Sequence, residues 1–545
     1  MNNPILQREL ISLLRARATV VLVWVYLVLL GGLVLWMWPE TGVYSLAART
    51  SRSLLVVFTV TQVLLVVVYA PAFAATSITL EREQNTYDLL FATRLRPFQI
   101  VIGKLGASIS TLLMFVVLAL PLFATCFFLG AISVRETLII LAVVSMTAVF
   151  FGLLGLAVSA VAGSSHGAMV ATYVLVLLLG AGPWVPHLLL RHQVWAQPFT
   201  QQIRALSPVA AMLSVVSPAH EATAAWQLYL LFTAAGSVVL GMFLVGSVYL
   251  RRTRPPRPHG KTITDPDELR RRKLRFPFYL IDPMRRKQPI PDWINPVFAK
   301  ELRSQALGGG IWLFRAAYTC FAVSVLLMAA VAGNLVGQTP DVIRVVAVVF
   351  QLGMVVLVVP SLTAGAVTQE RERGCLDLLR MARIRPASLL SGKLGVALLF
   401  MSFLVVGSAP GWAVIYALQT NTLREIGYCW TVILATMVLG TMIGLAASAL
   451  MPRTSVATAL AYGVMGVLTV ATLLPLLMGD QLAAPAREAV LMFNPIIAAI
   501  QTLAPGVFPA VGEIWRAHLK WSVALSALCA VLAYGRVHRL LRRGT

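Results

Sequence analysis

Ile78 to Lys104 reads ITLEREQNTYDLLFATRLRPFQIVIGK, and Val367 to Lys393 reads VTQERERGCLDLLRMARIRPASLLSGK. The two stretches align without a gap at an offset of 289 residues, from Pro71/Pro360 to Gly106/Gly395. Shared along them are Glu81/Glu370, Arg82/Arg371, Glu83/Glu372, Asp88/Asp377, Leu89/Leu378, Leu90/Leu379, Arg94/Arg383, Arg96/Arg385, Pro97/Pro386, Gly103/Gly392 and Lys104/Lys393. The same offset joins Pro121 to Pro410, Arg135-Glu136 to Arg424-Glu425, and Tyr173 to Tyr462. Upstream, Asn3-Pro4 … Glu9-Leu10 returns as Asn295-Pro296 … Glu301-Leu302, and downstream Ser207-Pro208 is echoed by Asn494-Pro495. Internal repetition decides architecture before any local motif does, and here it makes the chain two copies of one unit.

Outward from this element the sequence turns apolar on both sides. The 545 residues are 59% hydrophobic and 12% charged, against roughly 45–50% and about 25% in ordinary globular chains. Soluble multidomain, disordered, collagen-like and disulfide-framework proteins are thereby excluded. A helix crossing a bilayer needs about 20 mainly apolar residues. Twelve runs qualify: 18–38, 53–76, 105–130, 137–162, 167–186, 224–250, 312–333, 342–366, 394–418, 427–450, 455–478 and 519–536. They are too long for the alternating strands of a membrane barrel. The expected fold is an all-α polytopic membrane protein of about twelve transmembrane helices. Its units are a first six-helix half at 1–250, a linker at 251–292 and a second six-helix half at 293–545.

Six spans return the chain to its starting side, so the repeats are parallel, with a pseudo-two-fold axis along the membrane normal and a pathway between the halves. The arm at 1–17, the loops 82–104 and 371–393, the centre 251–303 and the tail at Arg536–Arg543 are rich in Lys and Arg. These segments are expected in the cytoplasm, which puts both termini there. The first run is longer than a signal-peptide core and reads as a retained span. The linker holds Pro255, Pro256, Pro258, Pro266, Pro277 and Pro283 among many arginines and has no apolar period, which suits an extended connector against anionic lipid. The net charge of +23, from 44 basic against 21 acidic residues, follows from this placement. No zinc, RNP or helix-turn-helix pattern points to nucleic acid. The five cysteines are dispersed and read as packing residues.

The most repeated element is thus a cytoplasmic loop. Within it, Thr86 to Thr93 sets Leu89, Leu90 and Thr93 near one helical face, with Asp88 and the preceding Glu-Arg-Glu polar. Pro97 and Pro386 are expected to stop that short helix. Orientation alone needs neither an acidic pair nor an Asp-Leu-Leu of matched length in both halves. The element therefore reads as a docking helix for a soluble partner.

Both loops resemble the Glu-Arg-Glu-x-Gly-Thr-Leu-(Asp/Glu)-Leu-Leu … Gly-Lys signature of ABC-2 type exporter permeases. The arms NPILQRELISLLRAR and NPVFAKELRSQ are similar to that family's amphipathic connecting helix. The resemblance implies that Glu81, Arg82, Glu83, Asp88, Leu89 and Leu90, with Glu370, Arg371, Glu372, Asp377, Leu378 and Leu379, couple the chain to a cytoplasmic ATP-binding cassette ATPase. Two copies of that partner are implied, binding ATP and Mg themselves, and further membrane or periplasmic subunits are compatible with it. It also implies an outer-face re-entrant helix opened by Pro208 and by Pro495, in a cell membrane of the bacterial inner-membrane type. The loops depart from the signature: Gln84-Asn85-Thr86-Tyr87 stands in the first, and Cys375 replaces Thr in the second. Most such permeases are single six-span chains, whereas this one carries both halves.

No phosphate-binding Gly-x-x-x-x-Gly-Lys-(Ser/Thr) loop, HExxH or Gly-x-Ser-x-Gly elbow in a strand–turn–helix setting occurs, so the expectation is a non-enzyme without its own cofactor. Two other readings stand beside it. A secondary transporter of major-facilitator type shares the two parallel halves, but its Gly-x-x-x-Asp-Arg-x-Gly-Arg-Arg loop is absent, and no ionisable residue lies deep in the twelve runs. A non-transporting scaffold that recruits an ATPase would use the same loops. Pro121 and Pro410 read as kinks or hinges, Tyr173 and Tyr462 as packing or cavity-lining aromatics, and Trp24, Trp36 and Trp38 as interface anchors. Arg135-Glu136 and Arg424-Glu425 read as solvated pairs capping outer loops.

Overall fold

The computed structural model describes chiefly residues 4–14, 58–67, 74–83, 97–128, 133–162, 165–180, 197–216, 225–252, 293–302, 340–372, 374–382, 384–408, 423–469, 471–477, 484–507 and 513–542, with short pieces between them. Its principal helices are α1 (Pro4–Leu14), α2 (Thr79–Glu83), α3 (Pro97–Phe128), α4 (Val134–Val161), α5 (Ser165–Gly180), α6 (Pro208–Val216) and α7 (Ala225–Arg252). They continue as α8 (Pro296–Glu301), α9 (Pro340–Thr363), α10 (Thr368–Glu372), α11 (Leu376–Met381), α12 (Pro386–Gly407), α13 (Leu423–Leu450), α14 (Thr454–Thr469), α15 (Pro495–Leu503) and α16 (Trp515–Arg542). No strand occurs among the described residues.

Val134–Val161, Ala225–Ser247, Pro386–Gly407, Leu423–Leu450 and Trp515–Arg542 are long and apolar enough to cross a membrane. Leu231, Val238, Met242 and Phe243 on α7, and Val523, Leu528 and Val531 on α16, are more than half exposed. Apolar faces of this extent suit lipid and not water. The runs 18–38 and 312–333 lie mostly, and the linker almost wholly, outside the described residues.

Local sequence explains where the helices start. Ser133 caps α4 and accepts from Glu136 N, while Glu136 reaches back to Ser133 N at 2.8 Å, a capping box. The expected outer-loop ion pair at Glu136 is therefore a cap on its own helix. Asn295 caps α8 and Asn494 caps α15, each with proline in the first turn. Pro386 likewise opens α12 with Arg385 as its cap, and Pro97 is the first residue of α3. In the second copy the loop helix ends at Met381, short of Pro386, and both prolines begin the next helix, because a first-turn residue needs no N–H partner; the segment before Pro97 lies outside the described residues. Each third run thus starts about two turns earlier than hydropathy suggested. α3 runs on through Pro121, and Pro410 lies outside the described residues.

One set of packed pairs occurs twice. α1 lies on α3, α3 on α4, α4 on α5 and on α7, and α6 on α7; α8 lies on α12, α12 on α13, α13 on α14 and on α16, and α15 on α16. Glycine permits the close approach of each arm. A Cβ at Gly106 would meet Leu6 at 2.9 Å, and one at Gly392 would meet the Phe298 backbone nitrogen at 2.8 Å, so each arm sits against a glycine of the helix below it. Ser207 donates to Gly180 O at 2.6 Å, and Asn494 donates to Thr469 O at 2.9 Å, tying each short buried helix to the end of α5 or α14. Between the two sets, α9 packs on α5.

Candidate functional site

The repeated element is built around a broken helix. In both copies the chain leaves its apolar run through a turn, 75–78 before α2 and 364–367 before α10. A turn there frees backbone N–H groups that need partners. Ser159 on α4 accepts from Ile78 N at 3.2 Å and Thr79 N at 3.1 Å. Ser448 on α13 accepts from Val367 N at 2.8 Å and Thr368 N at 3.0 Å. Each serine is fully enclosed and staples the short helix to its neighbour.

The acidic residues of the element turn inward. Glu81 pairs with Lys104 at 2.8 Å, and Lys104 also donates to Ser77 O at 2.9 Å. Glu370 pairs with Lys300 at 2.8 Å and with Lys393 at 3.4 Å. Lys393 further binds Glu301 of the arm at 2.8 Å, both being 7% exposed. Glu83 accepts from Ser165 N at 2.8 Å, the first residue of α5, and Glu372 accepts from Thr454 N at 2.8 Å, the first of α14. These carboxylates hold orphan N–H groups at the positive end of a helix. Arg82 donates to Ala162 O at 2.7 Å and Ala160 O at 3.1 Å, closing the end of α4, whereas Arg371 is exposed.

Burial raises the Glu370 carboxyl, but the Lys300 hydrogen bond and the charges of Lys393 and Lys300 outweigh it and hold the group below its ordinary value. Lys300 is the counterpart: burial lowers it, and Glu370 and Glu301 lift it above the usual lysine value.

In the second copy the helix that follows faces outward. α10 is closed two residues past its end by Gly374, whose φ is +68°. Its N–H reaches Arg371 O at 3.1 Å while Cys375 N reaches Glu370 O at 2.8 Å, the Schellman pattern that glycine favours. On α11, Leu378 is 63% and Met381 77% exposed, with Asp377 beside them. Leu379 turns the other way, against the cluster of Val297, Val367, Leu389 and Val537. Leu378 and Leu379 thus point apart, as adjacent helical positions about 100° apart do; the face expected for Leu89, Leu90 and Thr93 lies outside the described residues. Arg380 fixes the helix from below by donating to Leu540 O of α16 at 2.6 Å. Asp88, Leu89 and Leu90 lie outside the described residues.

Lys104, Lys393 and Glu301 are visible in the sequence as repeated positions, but not the two lysines as buried partners of Glu81 and Glu370, nor Glu301 as a partner of Lys393. Ser159 and Ser448 gave no signal except their separation of 289 residues inside apolar runs. Among the described residues no group of three or more His, Cys, Asp or Glu is gathered to hold a metal ion. Compared with protein-family models and with curated proteins, the chain has no significant match.

Proposed function

We propose that this chain is the transmembrane permease subunit of an ATP-binding cassette exporter, two six-helix halves fused by a cytoplasmic linker. A separate cytoplasmic ATPase, present in two copies and carrying the ATP and Mg, drives it. The observation that carries the reading is α11: a short helix with Leu378 and Met381 bare, on a base tied to α8, α12, α14 and α16. An apolar face on so rigid a mount suits a partner whose movement must reach the bilayer. The doubled packing pairs and the bonds repeated at the 289-residue offset support two like halves, and the basic segments at both ends of the chain support cytoplasmic termini.

The test is affinity capture of the tagged chain in mild detergent, with Leu378→Glu and Met381→Glu as variants. Co-purification of an ATPase bearing a Walker motif, lost in both variants while their melting temperatures stay unchanged, is the expected result. Absence of such an ATPase, with ion-gradient-driven uptake by the purified chain, replaces the proposal with a secondary transporter. An ATPase that binds but promotes no substrate movement in any vesicle assay leaves the scaffold.

A further inference from the structure

Tyr173 and Tyr462 stand 289 residues apart, the offset of the repeated loop, and their rings stack with centroids 3.7 Å apart and planes 28° from parallel. Two equivalent residues of a two-fold arrangement can touch each other only on its axis. Each is the ninth residue of a sixteen-residue helix, α5 or α14. At 1.5 Å per residue the pair lies about 12 Å beyond the helix starts that Glu83 and Glu372 hold, close to the middle of a hydrocarbon core about 30 Å thick.

The surroundings close this level. Tyr173 is 2% and Tyr462 3% exposed. Tyr462 packs within the hydrophobic cluster of the first half, and its hydroxyl donates to Leu357 O of α9. Tyr69 lies alongside: its hydroxyl would be 2.2 Å from a Cβ at Gly463, so its ring end rests directly on the α14 backbone.

We propose that the Tyr173–Tyr462 stack is the closed constriction of the pathway between the halves. Parting the rings is then the opening step, and the two freed phenol faces become a stacking site for an apolar or amphipathic molecule in transit. This rests on the pathway reading above. It adds the residues that seal the path and the kind of surface a substrate meets there. Aromatic faces favour planar apolar groups and lipophilic cations over simple polar solutes.

Two measurements test it without an ATPase. In a chain whose Cys126, Cys320, Cys375, Cys429 and Cys529 are replaced by alanine, Tyr173→Cys and Tyr462→Cys are combined with a protease site inserted in the 251–292 linker. A short bifunctional methanethiosulfonate applied to membranes should keep the two cleaved halves joined until reductant is added. Halves that separate despite complete labelling overturn the placement of the pair on the axis. In proteoliposomes of the purified chain, the double variant Tyr173→Ala/Tyr462→Ala should raise potassium leak on the order of tenfold, as widening an apolar constriction lets it wet. Tyr173→Phe/Tyr462→Phe keeps the stack and should stay as tight as the parent. A folded alanine variant that leaks no more than the parent overturns the constriction. If that happens while the ATPase is captured, the permease reading survives and the gate alone fails. A leak without any ATPase leaves the gate standing and removes the exporter.

Discussion

Glu372 holds Thr454 twice, accepting its backbone N–H at 2.8 Å and its hydroxyl at 2.6 Å, so the signature loop grips the first turn of a helix 82 residues further on. Glu83 does the same for Ser165 N at 2.8 Å. Removing a charged cap from a helix start costs about 1–2 kcal/mol. Glu372→Ala should therefore lower the thermal midpoint in detergent by several degrees, and Glu372→Gln by less, because its amide oxygen still accepts. Equal midpoints for Glu372→Ala and the parent would refute the capping role. It follows that charge reversal here damages the fold, and the exposed Leu378 is the cleaner probe of docking.

The Lys393–Glu301 pair makes a second prediction. Both side chains are 7% exposed at 2.8 Å, so deleting one strands the other's charge away from water. Lys393→Met should cost about 3–5 kcal/mol, and Lys393→Met/Glu301→Gln should recover much of that. Lys300, 53% exposed, is the contrast: its end of the pair with Glu370 stays in water, and Lys393 remains beside Glu370 when it is removed, so Lys300→Met should cost less than Lys393→Met. Denaturation of the parent, Lys393→Met, Glu301→Gln and their double variant in one detergent closes the cycle; a double variant no better than Lys393→Met alone would contradict the stranded-charge account.

The same cluster sets a pH response. Glu370 sits below its ordinary 4.5 in the folded chain, so its stabilisation is complete above that value and is lost as pH falls through the folded one. Lys300 sits above its ordinary 10.5, so its contribution is complete below that value and is lost as pH rises through the folded one. Glu370→Gln should melt lower than the parent by a constant margin across the neutral range, with the gap closing below about pH 4.5. A gap that persists undiminished in acid would assign the loss to packing.

What the sequence could carry was fixed by periodicity and repetition. The 289-residue offset located Glu83/Glu372 and Lys104/Lys393, and hydropathy located helices such as Leu423–Leu450 within four residues of the expected run at 427–450. It could not carry partners. Ser159 and Ser448 look like any small residue in an apolar helix, and their task appears only when a turn 80 residues away is folded against them. Glu83 and Glu372 look solvent-facing for the matching reason: their partners are backbone N–H groups, which every sequence contains. Leu378 and Leu379 are adjacent in sequence, yet one is exposed and the other packs inward, because a helix sends neighbours in different directions.

The last prediction concerns the seam between the halves. A Cβ at Gly463 would fall 2.2 Å from the Tyr69 hydroxyl and 3.1 Å from its ring carbon, while a Cβ at Gly353 meets nothing within 4 Å. Gly463→Ala must push Tyr69 out of its place in the core, an overpacking cost of about 1–3 kcal/mol. Gly353→Ala should be neutral or mildly stabilising, since alanine is the better helix former by roughly 1 kcal/mol in water. Tyr69→Phe removes the clashing oxygen and should restore part of the stability lost in Gly463→Ala, leaving the 3.1 Å ring contact to relax. Thermal midpoints of the three single variants and of Gly463→Ala/Tyr69→Phe decide it. If Tyr69→Phe and Gly463→Ala act additively, Tyr69 does not rest on α14 and the two halves meet differently at that level.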